Sequence, residues 1–201
     1  GVRASGKFQM SGPAVIRNCT VESTDKFISG GGVYVDGSSS FEMSDTAKIE
    51  GCQAISTSAY GGGVYVSSSS SFVMTDKAEI EGCRAISNSA NSSKGGGVHL
   101  SNATTFTLSG RAVIQNCTAT NSVNSGEAYG GGVSAACVKE ITLEGNAQIF
   151  QCTAANGSGL YITGSLMYPN DWGKLYANGG SVDGDVVLGD KDKIDGPGTI
   201  T

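Results

Sequence analysis

The sequence predicts an all-β fold: a parallel β-helix of about five to six coils, each built from three short strands. Three observations predict it: glycine triplets that recur at a nearly fixed spacing, apolar side chains that alternate with period two, and a cysteine motif that keeps the same register. The clearest repeat is Gly61-Gly62-Gly63-Val64-Tyr65-Val66. Recurrence of one phrase at a fixed period is typical of stacked repeat units.

Glycine triplets mark the start of each repeat. They begin at Gly30, Gly61, Gly95 and Gly130, so the steps are 31, 34 and 35 residues. A weaker fifth start lies at residues 157–162. Glycine suits a corner where the chain enters a strand, because it accepts a positive φ and lets neighbouring backbones approach closely.

Two further landmarks keep this register in five copies. An apolar-x-apolar pair occurs at Phe8/Met10, Phe41/Met43, Phe72/Met74, Phe106/Leu108 and Ile141/Leu143. An Ala-x-Ile-x-x-Cys motif ends at Cys19, Cys52, Cys83, Cys117 and Cys152. Within each landmark the apolar positions alternate, which indicates strands separated by Ser, Gly and Asp turns.

Stacking of such strands places equivalent residues in columns about 4.8 Å apart. The segments that follow each cysteine vary in length and are rich in Ser, Asn and Ala, as in residues 87–94 and 120–129. We interpret them as loops that project from one edge of the stack, where variation in length is tolerated.

These motifs resemble those of a known group of proteins. Gly-Gly-Gly-Val-Tyr-Val, Phe-x-Met and Ile-x-x-Cys-x-Ala are similar to repeats of bacterial surface right-handed parallel β-helix proteins, which are adhesin-like, and more distantly to polymorphic outer-membrane autotransporter passengers. The resemblance covers residues 6–162 and implies a right-handed β-helix outside the cell. That group often has Asn where Cys52 and its equivalents stand. The repeat is specific for fold and says little about function.

Composition excludes some functions. The net charge is −5 and the chain has no basic tract, which argues against nucleic acid and anionic membrane surfaces as partners. No apolar run is long enough to span a membrane. The chain opens inside a coil, at Phe8-Gln9-Met10, so we expect it to be part of a longer protein. We expect no cofactor.

The chain divides into repeats over residues 1–162 and a less regular remainder of the same domain over residues 163–201. Residues 166–172 form an insertion with the only Trp, Trp172, which either covers the edge of the core or contributes to binding. Strand-like segments at residues 185–189, 193–194 and 199–201 predict one more, shortened coil. Unpaired strand groups at the ends of a stack favour end-to-end self-association.

The cysteines predict thiols rather than disulfides. In-register neighbours in one column have Cβ atoms about one coil apart, which is wider than the roughly 3.8 Å that a disulfide prefers. We expect the five column cysteines to be reduced and packed as small apolar residues, and Cys137 to lie near the second strand or the preceding turn. Their spacings match no zinc site.

The candidate ligand-binding residues form an outward column on the first strand: Tyr34, Tyr65, His99 and Tyr161, with Ser134 among them. Flat rings along one face can receive sugar rings or an extended chain. The alternative is that exposed tyrosine simply suits β-strands. His99, the only histidine, has no assignable catalytic partner.

Carboxylates offer two further candidates. Asp45/Asp76 and Glu50/Glu81 are column pairs roughly 5 Å apart, near the spacing of retaining glycosidases. We interpret the aspartates as turn caps and the glutamates as a solvated face beside Lys48 and Glu79. A calcium site is a weaker hypothesis for a C-terminal acidic group, Asp183, Asp185, Asp190, Asp192 and Asp195.

The sequence therefore favours a non-catalytic extracellular module of a bacterial surface protein, an adhesin or stalk segment with host or environmental glycans or surface proteins as ligands. The alternative is a polysaccharide lyase or glycoside hydrolase of the same fold. An acid/base cluster across adjacent coils would distinguish the enzyme, and no dense cluster is present in the sequence.

Overall fold

A computed structural model describes residues 1–24, 27–68, 70–103, 105–123, 127–164, 174–188, 193–195 and 199–200. The regular elements in these ranges are all β-strands, and their ladders run parallel. The predicted right-handed parallel β-helix is confirmed. The described residues contain no helix of the length and apolarity needed to cross a membrane.

Among the described residues, three seven-stranded sheets form the walls of a stack with a packed apolar interior, which we call the cylinder. The first sheet contains β1 (Val2–Ala4), β6 (Val33–Val35), β11 (Val64–Ser67), β16 (Val98–Ser101), β21 (Val133–Ala136), β24 (Leu160–Thr163) and β27 (Val186–Leu188). The second contains β2 (Phe8–Met10), β7 (Ser40–Met43), β12 (Ser71–Met74), β17 (Thr105–Leu108), β22 (Glu140–Glu144), β25 (Lys174–Asn178) and β28 (Lys193–Asp195). The third contains β3 (Val15–Arg17), β8 (Lys48–Glu50), β13 (Glu79–Glu81), β18 (Val113–Gln115), β23 (Gln148–Phe150), β26 (Ser181–Val182) and β29 (Thr199–Ile200).

The cylinder interior is made of columns of like side chains. Phe41, Phe72 and Phe106 are paired in register and are fully buried. Their rings stack with centroids 4.7 Å apart for the lower pair and 5.3 Å apart for the upper pair. Period-two alternation thus places one face of strands such as β7, β12 and β17 in a shared apolar core, as predicted.

Corners between strands use residues in the left-handed region. Asp45 and Asp76 have φ of 56° and 57°. The Gly12 amide donates to the Asp45 carboxylate at 2.9 Å, and the Asp45 amide donates to the Asp76 carboxylate at 3.2 Å. Each aspartate caps the coil below it, which confirms the capping interpretation. Cys137, with φ of 58°, lies in the turn before β22, as predicted.

The glycine triplets are required where backbones of adjacent segments meet. A Cβ built on Gly62 would lie 2.3 Å from the Arg84 carbonyl carbon and 2.4 Å from the Gly96 oxygen, both backbone atoms. A side chain at this position would force two coils apart. The triplet therefore encodes close backbone approach at the corner.

In the described residues, the segments predicted as loops contain eight further strands, which corrects that prediction. One four-stranded sheet is formed by β4 (Thr20–Glu22), β9 (Gln53–Ser56), β14 (Arg84–Ser87) and β19 (Thr118–Asn121). A second is formed by β5 (Phe27–Ser29), β10 (Ser58–Tyr60), β15 (Ser93–Lys94) and β20 (Ala128–Tyr129). We call these two sheets the fin. Its interior is a small cluster of Ala54, Ala59 and Ala85, with Ile28 packed against it.

The C-terminal part follows the same pattern. Strand β27 covers residues assigned to the predicted shortened coil and pairs with β24, and β28 and β29 continue the second and third sheets. The sequence interpretation missed β25 and β26. The insertion at residues 166–172, with Trp172, lies outside the described residues.

The cysteines are free thiols, as predicted. Cys83 and Cys117 are completely buried, and each Sγ lies within 3.9 Å of an isoleucine carbonyl oxygen of the coil below. Burial raises the pKa of Cys117, so its thiol stays protonated and packs as a small apolar group.

Candidate functional site

The predicted ligand-binding residues lie on one column of the first sheet. Tyr34, Tyr65 and His99 are direct neighbours in register, and Ser134 and Tyr161 follow above them. The Tyr34 and Tyr65 rings stack with centroids 5.1 Å apart and planes inclined by 14°. The fold therefore brings all four predicted residues together.

The fin covers the middle of this column. The Tyr60 ring of β10 lies 5.1 Å from the His99 ring, and Phe27 of β5 lies edge-on to Tyr65 at 6.3 Å. As a result Tyr65 is 7% exposed and His99 3%, whereas Tyr34 and Tyr161 remain half-buried. The column is not an open platform at Tyr65 and His99. Ligand binding by its members stays a prediction.

The fin contributes residues that the sequence analysis missed. Tyr60, Lys94 and Tyr129 pair in register on the fin face turned toward the first sheet. The Lys94 Nζ lies 5.5 Å from the Tyr60 ring centroid and 5.8 Å from that of Tyr129, distances at which a cation is attracted to an aromatic face. A signal was available: each of these residues directly precedes a glycine triplet.

We call the combined surface the aromatic corner. It consists of residues from the first sheet and the fin: Tyr34, Tyr65, His99, Tyr161, Phe27, Tyr60, Lys94 and Tyr129. Its upper part is the pair Tyr129 and Tyr161, whose centroids are 4.6 Å apart with planes inclined by 41°. The Tyr129 hydroxyl donates to Glu127, and burial together with that carboxylate raises the pKa of Tyr129. At its lower part, a cavity of about 440 Å³ is lined by Arg3, Phe27 and Tyr34, among others.

His99 is the most unusual group in the corner. Its Nδ1 is buried and makes no hydrogen bond within the described part of the chain. Burial, and next the charge of Lys94, lower the pKa of His99 to about 3. The imidazole is therefore neutral near pH 7. None of the influences on its pKa comes from a carboxylate, so in the described part of the chain no acid orients His99 as it would orient a catalytic histidine.

The glutamate column forms an ion-pair network on the third sheet. The Lys48 Nζ lies 2.5 Å from Glu81, 3.2 Å from Glu50 and 3.3 Å from Glu79. The hydrogen bond to Glu81 is the main cause that raises the pKa of Lys48. One cation holds three partly solvated carboxylates together, which supports the interpretation as a solvated face.

The calcium hypothesis gains no cluster from the described residues, in which no three His, Cys, Asp or Glu converge as a metal site. The Asp183 amide donates to the Ile149 carbonyl, and the Asp185 amide donates to the Ser158 hydroxyl oxygen at 2.8 Å. Asp190 and Asp192 lie outside the described residues. The calcium site stays a prediction.

Comparison with known proteins adds no relative. No protein-family model matches the chain, and no curated protein and no solved structure matches it either.

Proposed function

We propose that this chain is a non-catalytic, extracellular β-helix module of a bacterial surface protein, an adhesin or stalk segment that binds glycans at the aromatic corner. The observation that carries the proposal is the unbroken register of the stack. Phe41, Phe72 and Phe106 repeat without slippage, so each coil contacts its neighbours and extends a stiff rod by about 4.8 Å.

The aromatic corner supports the glycan part of the proposal. Sugar rings present C–H groups that pack on aromatic faces, while hydroxyls need polar neighbours. The half-buried pair Tyr129 and Tyr161 supplies rings, and Glu127 and Lys94 supply charge beside them. Tyr129 lies on β20, which is an edge strand of its fin sheet.

A glycan array with the purified chain tests the proposal, followed by titration of each bound glycan. Replacing Tyr129 and Tyr161 by Ala should weaken binding by about tenfold or more, since a stacked ring contributes roughly 1–2 kcal/mol. Tyr176→Ala is the matched control, because Tyr176 is a half-buried tyrosine on the second sheet.

The enzyme alternative is tested on the same glycans by assays for reducing ends and unsaturated products. Turnover that disappears in Asp45→Asn, Asp76→Asn or His99→Tyr would replace the proposal with a lyase or hydrolase. Equal binding by the Tyr129/Tyr161 variant and the parent chain would remove the aromatic corner as the glycan site.

A further inference from the structure

We propose that the fin is an acid-sensitive cover: protonation of His99 loosens its contact with the first sheet and exposes Tyr65. The proposal concerns the fin itself and does not depend on glycan binding. It rests on the contacts of one buried side chain at the interface between two separately packed units.

His99 lies where the fin meets the cylinder. Its ring is 5.6 Å from Tyr65 in the coil below and 5.1 Å from Tyr60 of the fin. Because the side chain is 3% exposed and its Nδ1 has no hydrogen-bond partner among the described residues, water does not solvate it in this arrangement. A charge placed on this ring would have to be solvated by moving something aside.

The charges around His99 oppose protonation. On its own sheet the neighbours in register are Tyr65 and Ser134. On the fin the facing groups are Tyr60 and Lys94, and Lys94 already brings a positive charge. Glu127, the acidic residue of the corner, accepts a hydrogen bond from the Tyr129 hydroxyl. A hydrogen bond to the Ser134 backbone favours the protonated ring, but it contributes less than burial and the charge of Lys94. An imidazolium therefore gains a like charge and, among the described residues, no anionic partner.

Opening the fin costs less free energy than opening the cylinder. On β16, the side chains adjacent to His99 are Val98 and Leu100, which are completely buried in the main core. The fin interior consists of Ala54, Ala59 and Ala85 with Ile28 against them, so separating or shifting it exposes much less apolar area. Local opening follows the region with the fewest buried apolar contacts.

The direction of the pH effect follows from linkage. The closed form holds the pKa of His99 at about 3, whereas a solvated histidine titrates near 6.5. The closed form is thus favoured fully above about pH 6.5 and loses about tenfold relative to the open form for each pH unit below it, until the pH reaches the closed-form pKa.

Hydrogen exchange of the full chain, read by mass spectrometry between pH 7.5 and pH 4.5, tests the cover. After correction for intrinsic exchange, protection of residues 58–60 and 93–94 should fall about tenfold per pH unit below about pH 6. Protection of Ser71–Met74, a cylinder strand, should stay constant. Constant protection of the fin over the same range would overturn the proposal.

Two variants make the test specific. His99→Tyr places in this column the residue that Tyr34 and Tyr65 already supply, and it takes up no proton in this range, so the fin should lose its pH dependence. Lys94→Gln removes the neighbouring cation but leaves His99 buried and able to take up a proton, so most of the pH-dependent fall in protection should persist. An unchanged pH dependence in His99→Tyr would show that another group controls the fin.

Discussion

The cylinder and the fin are both stacks of parallel strands, yet they bury very different side chains. The cylinder buries rings and long aliphatic chains such as Phe72, Met74 and Ile80. The fin buries a few alanines, with Ala54, Ala59 and Ala85 at its centre. Since stabilisation grows with apolar area removed from water, the same strand geometry gives a strong core in one region and a weak one in the other.

Polar contacts make up part of the difference. At the fin tip the Ser87 hydroxyl lies 2.9 Å from the Thr57 carbonyl oxygen, and the Ser122 hydroxyl donates to the Ser87 carbonyl at 2.7 Å. Such bonds each contribute about 1 kcal/mol and can be rearranged when the segment changes length. The comparison indicates that the cylinder contributes most of the apolar burial that stabilises the fold, and the fin much less.

Phe72→Ala should have the largest effect, because it removes the middle ring of the phenylalanine column. The ring is fully buried and stacks on both neighbours, so we expect a loss of about 4 kcal/mol in the free energy of unfolding. Urea denaturation followed by circular dichroism measures it. Val73→Ala, which changes the outward neighbour on the same strand, is the control and should cost much less.

Gly62→Ala tests the corner that joins the two regions. The added Cβ would lie 2.3 Å from the Arg84 carbonyl carbon, at the base of the fin, so we expect a loss of about 3 kcal/mol from overpacking. Gly6→Ala is the matched control, since its Cβ would meet nothing within 4 Å. Equal unfolding midpoints for the two variants would contradict the close-approach explanation.

His99, at the contact between the fin and the cylinder, should make the stability of the chain depend on pH. Its pKa is lowered to about 3 in the folded chain, so its contribution to stability is complete above about pH 6.5 and is lost as the pH falls toward 3. At pH 5 the parent chain should lose about 2 kcal/mol relative to His99→Tyr, compared with pH 7.5. Thermal unfolding of both proteins at the two pH values measures this difference. Carboxylates that the two proteins share contribute equally to both pH dependences, so their titration drops out of the comparison.

The cylinder could be predicted from the sequence because its inward columns repeat apolar residues of similar kind. Phe41, Phe72 and Phe106 fall at equivalent places, and alternation alone fixes which face they occupy. The period and the glycine triplets then fix the corner. Each of these signals is local and is repeated in several coils.

The fin could not be predicted in the same way. Its strands, such as Ser58–Tyr60, are short and rich in Ser and Ala, a composition typical of loops. They form strands because four copies from successive coils pair with one another, which depends on the folded stack and not on the composition of any one segment. The burial of Tyr65 and His99 depends on the direction in which these segments leave the corner, and no residue in the first strand encodes that direction.

Asp76 allows a finer test within the cylinder. Its carboxylate accepts the Asp45 amide at 3.2 Å while its own backbone has φ of 57°, a region that Asn also tolerates. Asp76→Ala should cost about 1 kcal/mol, and Asp76→Asn clearly less, because Asn keeps an acceptor and the left-handed conformation. Urea denaturation distinguishes them, and equal losses would show that capping contributes nothing.

Ser87→Ala should have the smallest global effect and the most informative local one. The completely buried hydroxyl lies near three carbonyl oxygens but has one proton, so its loss should cost about 0.5–1 kcal/mol. If the fin opens separately, this cost appears as faster hydrogen exchange in residues 84–94 while Ser71–Met74 keeps its protection. Ser58→Ala, at a half-exposed serine of the opposing fin strand, is the control. An equal increase in the hydrogen-exchange rate of Ser71–Met74 would mean that the fin and the cylinder unfold as one unit. The conclusion that the fin opens separately would then be wrong.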